Sequence, residues 1–172
     1  MKIIFLDVDG VLNNLEDVLH NRDIENPEQP QDKYLKLIKE IVNRTGAEIV
    51  ISSGWRLTTE GLQEVIDALY RYNISIRGVT PEGVLLNTLQ AFGINVKPKL
   101  TDSHLGDITV IDRGAEIAIW LKKHPEYTEF LILDDEIHDI KDYFPNNYIK
   151  TDINKGLLEE HVEQAIQILK GE

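Results

Sequence analysis

Residues 2–10 read KIIFLDVDG, and the fold turns on how this stretch is understood. Four apolar residues, Ile3 to Leu6, run directly into Asp7, and Asp9 and Gly10 follow one residue further on. A buried strand avoids carboxylates, because taking an unpaired charge out of water costs several kcal/mol or more. Either the strand runs out into a solvated turn, or the two acids hold something cationic. Two other segments have the same shape: AEIVISS at 47–53 ends in Ser52 and Ser53, and EFLILDD at 129–135 ends in Asp134 and Asp135. All three runs are nearly continuous in apolar residues rather than alternating, which suits strands of a parallel sheet covered on both faces.

Between and after these runs lie helical patterns. Tyr34, Leu37, Ile38 and Ile41 make one apolar stripe, and Leu62, Val65, Ile66 and Leu69 a second. Ile117, Trp120 and Leu121 mark a third, and Leu158, Val162, Ala165 and Leu169 a fourth, all at the spacing of one helix face. ISIRGV (74–79) and NYIKT (147–151) read as further strands. Alternating strands and helices predict an α/β domain built on a doubly wound parallel sheet. Residues 13–31, polar and broken by Pro27 and Pro30, read as a loop or flap after the first strand. Residues 80–112, with Pro81, Pro98 and several glycines, read as an irregular insert or a small hairpin. No repeat or linker divides residues 1–172, so a single domain is expected.

Composition narrows the partners. The chain has 18 basic and 30 acidic residues, a formal charge of −12, so extended duplex nucleic acid should be repelled unless the basic groups cluster. It has no cysteine, which excludes disulfides, thiolate catalysis and cysteine zinc sites. Its first apolar run is too short for a secretory signal, and none approaches the ~20 residues that cross a bilayer. A cytoplasmic protein with no membrane partner is the expectation.

In doubly wound folds, ligands bind beyond the carboxyl ends of the strands. Asp7 and Asp9 share a face if the extended geometry persists, and Asp134 or Asp135 approaches from a neighbouring strand. Each acid alone could simply begin a turn, where Asp is common. Three polar strand ends together point to a shared site. Converging carboxylates raise one another's pKa, and a hard divalent cation relieves the repulsion. Mg²⁺ typically takes one or two carboxylates together with waters and phosphate oxygens.

DVDGVL after a buried strand resembles the first motif of the haloacid dehalogenase (HAD) superfamily of aspartyl phosphotransferases. VISS resembles its second motif, and LILDDEIHD its fourth. The combination of FLDVDGVLN, SSGWR, RGAEIAIWL and ILDDE is closer still to the small HAD domains of multifunctional RNA-repair proteins, distant relatives of polynucleotide 3′-phosphatases. The resemblance implies a Rossmann-like core with a minimal cap and Mg²⁺-dependent phosphomonoester hydrolysis. Asp7 would be the nucleophile that forms an aspartyl-phosphate, and Asp9 the general acid and then base. Asp7, Asp9 (through its backbone carbonyl in relatives) and Asp135 would hold the metal, with Asp134 or Asp139 nearby. Gly10 would permit a turn that brings the next backbone N–H to the phosphate.

Ser52 would donate to the transferring phosphoryl group, with Ser53 the alternative and Gly54 beside them on the substrate side. Arg113 would fill the third, basic motif in place of the commoner lysine, with Lys97 or Lys99 the alternatives. A cation in the first turn of a helix opposes the helix dipole, so an anion should compensate it; Asp112 or Glu116 would do so in a plain surface pair. Arg56, near another helix start, raises the same question and is expected to meet a substrate phosphate or an active-site acid. Trp55 would shape or cap the entrance, and otherwise reads as a packing residue before a stacking one. The five histidines show no metal-binding spacing.

A minimal cap implies an open site, which favours a nucleic-acid end or a phosphoprotein over an enclosed metabolite, whereas the charge of −12 favours a phosphorylated small molecule, a nucleotide or a sugar phosphate. A receiver-like phospho-accepting domain is the alternative, but it needs its aspartate on a middle strand, where AEIVISS has none. A non-catalytic phosphate-binding module is the third reading.

Overall fold

The computed structural model describes all residues except 21–24, 95–101, 105–106, 111, 138 and 172. Its centre is a sheet of five strands, all parallel: β1 (Lys2–Leu6), β2 (Glu48–Ile51), β3 (Ile76–Val79), β7 (Glu129–Asp134) and β8 (Tyr148–Lys150). Their order across the sheet is β3-β2-β1-β7-β8, so β1 lies in the middle. Ile4 is in register with Ile49 on one side and Leu131 on the other.

Successive side chains on a strand point to opposite faces, and here both faces are covered. Ile4, Leu6, Ile49, Ile51, Leu131 and Leu133 pack on one side. They meet the apolar stripes of α2 (Asp32–Thr45), α3 (Thr59–Arg71) and α7 (Glu159–Lys170). Ile3, Phe5, Val50 and Ile132 pack on the other, against Ile117 and Trp120 of α5 (Arg113–Lys123) and Ile140 of α6 (Ile140–Tyr143). Covering on both sides is why the strands read as unbroken apolar runs. Ile3 to Leu6 are fully buried. Burial at about 25 cal/mol per Å² of apolar surface makes this three-layer core the main source of stability.

Two segments are more regular than their composition suggests. Residues 13–31 contain a short helix, α1 (Leu15–His20), so this flap is not all loop. Residues 80–112 are not simply irregular. β4 (Val84–Leu85), β5 (Asp102–His104) and β6 (Asp107–Val110) form an antiparallel sheet in the order β4-β6-β5, with α4 (Leu86–Ala91) after β4. Val84 and Leu89 pack on Ala115 and Ile119 of α5, so a patch of apolar side chains orders part of a segment rich in turn residues. Among the described residues no helix is long and apolar enough to cross a membrane.

Candidate active site

The carboxyl ends of β1, β2 and β7 meet at one place. β1 ends at Leu6, and the Asp7 N–H still donates to Leu133 O on β7 (3.0 Å), which fixes the Asp7 backbone in the ladder. Beyond it the chain turns. Val11 and Leu12 N–H both donate to Val8 O, at 3.1 and 2.7 Å. The extended geometry therefore does not persist to Asp9, and the two acids differ: Asp7 is buried and Asp9 exposed.

Carboxylate oxygens of Asp7, Asp134 and Asp135 lie within 4.8 Å of one another. Asp9 is outside this set of three. Arg113 Nη1 sits between the two buried acids, 2.9 Å from Asp7 Oδ2 and 2.5 Å from Asp134 Oδ2. Asp134 Oδ1 also accepts from Glu136 N–H at 2.8 Å, so both its oxygens are engaged within the protein. Asp134 thus orients the arginine, while Asp7 and Asp135 face the common space with oxygens to spare. Asp139 is not in the cluster; its Oδ2 accepts from Arg113 N–H at 2.6 Å, at the start of α5.

Electrostatics follow from this packing. Burial, and next the Asp7 charge, push Asp134 up to about 7, against the lowering pull of Arg113 and of the Glu136 N–H. Burial and the Asp7 charge also raise Asp135. Burial works to lower the Arg113 pKa, but Asp7 and Asp134 outweigh it and hold the guanidinium charged. The anions that compensate a cation in the first turn of α5 are therefore Asp7 and Asp134, not Asp112 or Glu116. Asp112 instead caps the helix, accepting from Ala115 N–H at 3.1 Å. Three close carboxylates, two of them raised, and all hard oxygen donors, fit a divalent cation such as Mg²⁺. Lys97 and Lys99 lie outside the described residues.

Gly10 has φ +65°, in the left-handed region, and a Cβ there would stand 2.7 Å from Asp135 Cβ. The glycine is required both by the turn and by the approach of the fourth-motif acid. Its own N–H donates to Asn13 Oδ1 (3.0 Å), and the next, on Val11, is used inside the turn. Both N–H groups are engaged within the turn.

On β2, Ser52 N–H donates to Leu6 O (2.9 Å), placing Ser52 level with Asp7. Its Oγ accepts from Thr80 Oγ1 at 3.4 Å, so the serine's own proton is left to donate elsewhere. Ser53 instead caps the following 3₁₀ turn, Gly54–Leu57, its Oγ accepting from Trp55 N–H at 3.4 Å. Gly54 opens that turn and is exposed.

Arg56 is a correction. Its side chain is 6% exposed and pairs with Glu116 Oε2 at 2.7 Å. It also donates to Ser53 O (2.6 Å), Pro81 O (3.0 Å) and Thr80 O (3.1 Å). Those bonds tie the second-motif turn to residues 80–81 and to α5; they do not leave the guanidinium for a phosphate. Glu116 in turn accepts from Gly83 N–H at 2.8 Å.

Two further residues have a direct link to the site: Trp55, expected at its entrance, and Asn13, which a reading of the sequence does not single out. Trp55 Nε1 donates to Asp9 Oδ2 at 3.0 Å, and Asn13 Nδ2 donates to Asp9 Oδ1 at 2.8 Å. Asn13 Nδ2 also reaches Glu28 O in the flap, at 2.6 Å. Both oxygens of Asp9 therefore accept from neutral donors, which hold its orientation. The position of Asn13 within DGVLN is the one local signal for this; Trp55 is 46 residues away.

No curated protein and no solved structure matches the chain. The family model described as the HAD domain in Swiss Army Knife RNA repair proteins matches residues 3–162. A five-stranded parallel α/β core, acids at the ends of its central strands and a match over nearly the whole length agree, and the chain belongs to this family of HAD domains from RNA-repair proteins.

Proposed function

We propose that the domain is a Mg²⁺-dependent phosphomonoester hydrolase that acts through an aspartyl-phosphate on the terminal phosphates of nucleotides or polynucleotides. The observation that carries this reading is the buried Asp7, held by Arg113 against Asp134, with Asp135 alongside. Family membership adds that HAD domains of RNA-repair proteins point to phosphatase-type chemistry on phosphorylated nucleic-acid ends.

In this reading an Asp7 carboxylate oxygen attacks phosphorus while the bond to the leaving oxygen breaks. Asp9, in its protonated form, gives that oxygen a proton. Asp9 then takes a proton from water, whose oxygen attacks the phosphorus of the aspartyl-phosphate. Inorganic phosphate leaves and the Asp7 carboxylate is restored. Ser52 donates to a phosphoryl oxygen, and Arg113 keeps Asp7 oriented and offsets the negative charge gathered at the site. Mg²⁺, held by Asp7 and Asp135, would supply further neutralisation of phosphoryl charge.

The test is release of phosphate from an aryl phosphate and from 3′- and 5′-phosphorylated oligonucleotides, with Mg²⁺ or EDTA, for wild type and Asp7→Asn. Metal-dependent release that the substitution abolishes is the expected result. Release that survives in Asp7→Asn refutes the nucleophile. A folded, Mg²⁺-binding protein that releases phosphate from none of these refutes the hydrolase.

A further inference from the structure

Beside the three acids, a groove of about 540 Å³ opens along the ends of β7 and β8 and the chain that leads into α7. Asp135 forms one wall, so the groove is continuous with the reaction centre. Its volume falls in the range of small-molecule sites, well beyond what a phosphoryl group needs. The other walls include Lys150, Thr151, Ile153, Lys155 and His161, together with the carboxylates of Asp152 and Glu160.

Three features make this groove more than a surface dent. Thr151 is 3% exposed, and among the described residues its Oγ1 is the buried side-chain oxygen without a hydrogen-bond partner. Leaving such a group unpaired costs about 1–3 kcal/mol, so a ligand toward which the Thr151 hydroxyl turns is favoured. His161 Nδ1 accepts from Leu158 N–H at 3.1 Å, which leaves its Nε2–H as a donor in the neutral ring. Lys150 and Lys155 are exposed and make no salt bridge among the described residues; Asp152 shares their wall, its carboxylate stabilised first by Asn154 N–H and also by the charges of the two lysines.

The groove is also rigid. Lys155 and Gly156 N–H both donate to Asp152 O, at 2.9 and 2.8 Å. Tyr34 OH donates to Lys155 O at 2.7 Å, and Leu15 N–H to Ile153 O at 2.8 Å, which ties the loop to α2 and to the flap. Ile153, 44% exposed, presents an apolar face.

A hydroxyl, an imidazole N–H, two ammonium groups without a salt bridge and one apolar face match the parts of a nucleotide, and the carboxylates of Asp152 and Glu160 can accept from its sugar hydroxyls. Resting on the hydrolase reading above, we propose that the groove holds the nucleotide whose terminal phosphate is removed, with its sugar at Thr151 and His161 and the next phosphodiester at Lys150 and Lys155. In so acidic a chain the two lysines supply cations beside the reaction centre, set against the carboxylates of Asp135, Asp152 and Glu160. A phosphopeptide supplies neither the sugar hydroxyls nor a regularly spaced second phosphate.

The assay is fluorescence anisotropy of a short labelled oligoribonucleotide bearing a terminal phosphate, titrated with Asp7→Asn protein in Mg²⁺. The same titration is made with Lys150→Ala and Lys155→Ala added. Affinity should fall roughly tenfold, and the slope of log K against log salt should flatten by about 0.7 for each phosphate that is no longer neutralised. In an otherwise wild-type chain, Thr151→Val should lower the ratio of kcat/KM for the oligoribonucleotide to that for an aryl phosphate by about three- to tenfold. Its Tm should not fall, whereas a purely structural role would lower it. Unchanged affinity, slope and ratio overturn the proposal, as does a phosphopeptide that competes as well as the oligonucleotide. The binding arm uses a protein without turnover, so loss of the hydrolase reading and loss of the groove are separate outcomes. Oligonucleotide binding that depends on the lysines, without phosphate release by wild type, sinks only the former.

Discussion

Replacing Arg56 with alanine separates a buried structural arginine from a phosphate-binding one. The side chains of Arg56 and Glu116 are 6% and 5% exposed, and the guanidinium makes four hydrogen bonds: one to Glu116 and three to the carbonyls of Ser53, Thr80 and Pro81. Removing it leaves a buried carboxylate whose pKa burial already raises, and three carbonyls short of a donor. Breaking one side of a buried pair costs about 3–5 kcal/mol. In a domain of this size each kcal/mol moves Tm by about 2–4 °C, so Arg56→Ala should melt on the order of 10 °C below wild type. The double variant Arg56→Met, Glu116→Leu should recover much of that loss, since it removes both charges and keeps volume. Thermal unfolding followed by circular dichroism reads both. A Tm for Arg56→Ala within about 2 °C of wild type would refute the reasoning. If KM for phosphorylated substrates then rose on its own, Arg56 would return to the substrate.

Other consequences are as specific. Gly10→Ala combines a left-handed backbone with a Cβ placed 2.7 Å from Asp135 Cβ, so it should cost about 1–3 kcal/mol and weaken Mg²⁺ binding; Tm and a metal titration measure the two. Mg²⁺ should raise Tm by an amount that grows with the logarithm of its concentration, and Asp135→Asn should remove most of that rise; an equal rise in the variant would place the metal elsewhere. Burial pushes the half-buried Asp112 up to about 6, so the folded state holds its proton more tightly than the unfolded chain does. Its contribution is therefore fully present at low pH and is lost as pH rises through about 6, by about 1 kcal/mol once solvent screening is allowed for. Asp112→Asn keeps a capping oxygen for Ala115 N–H and should flatten Tm against pH over that window; a profile parallel to wild type would exclude the group.

Much of this protein is legible from local pattern. The runs at 2–8, 47–53 and 129–135 each contain a central strand, because a strand buried on both faces needs unbroken apolar residues and those segments have them. Asp7, Asp134 and Asp135 stand out because a parallel sheet brings its strand ends together, so polar residues ending separate strands must converge. Arg113 is readable as a cation out of place at a helix start, and its anions are indeed near, but which anions they are depends on how α5 meets β1 and β7.

The rest is decided by tertiary structure, and for one physical reason. Strand and helix formation depends on neighbours a few residues away, whereas the partner of a polar side chain depends on which distant segments the fold lays beside it. Arg56 reads in sequence as a partner for a phosphate or an active-site acid and is bound by Glu116, 60 residues on. Trp55 looks like packing and also holds Asp9. Thr151, at the end of an ordinary strand, becomes a buried hydroxyl without a partner only when β8 and the loop after it close around it. Sequence thus determined the sheet and the acids at its edge; only the packing of segments far apart in the chain decided which charges are already satisfied and which face a ligand.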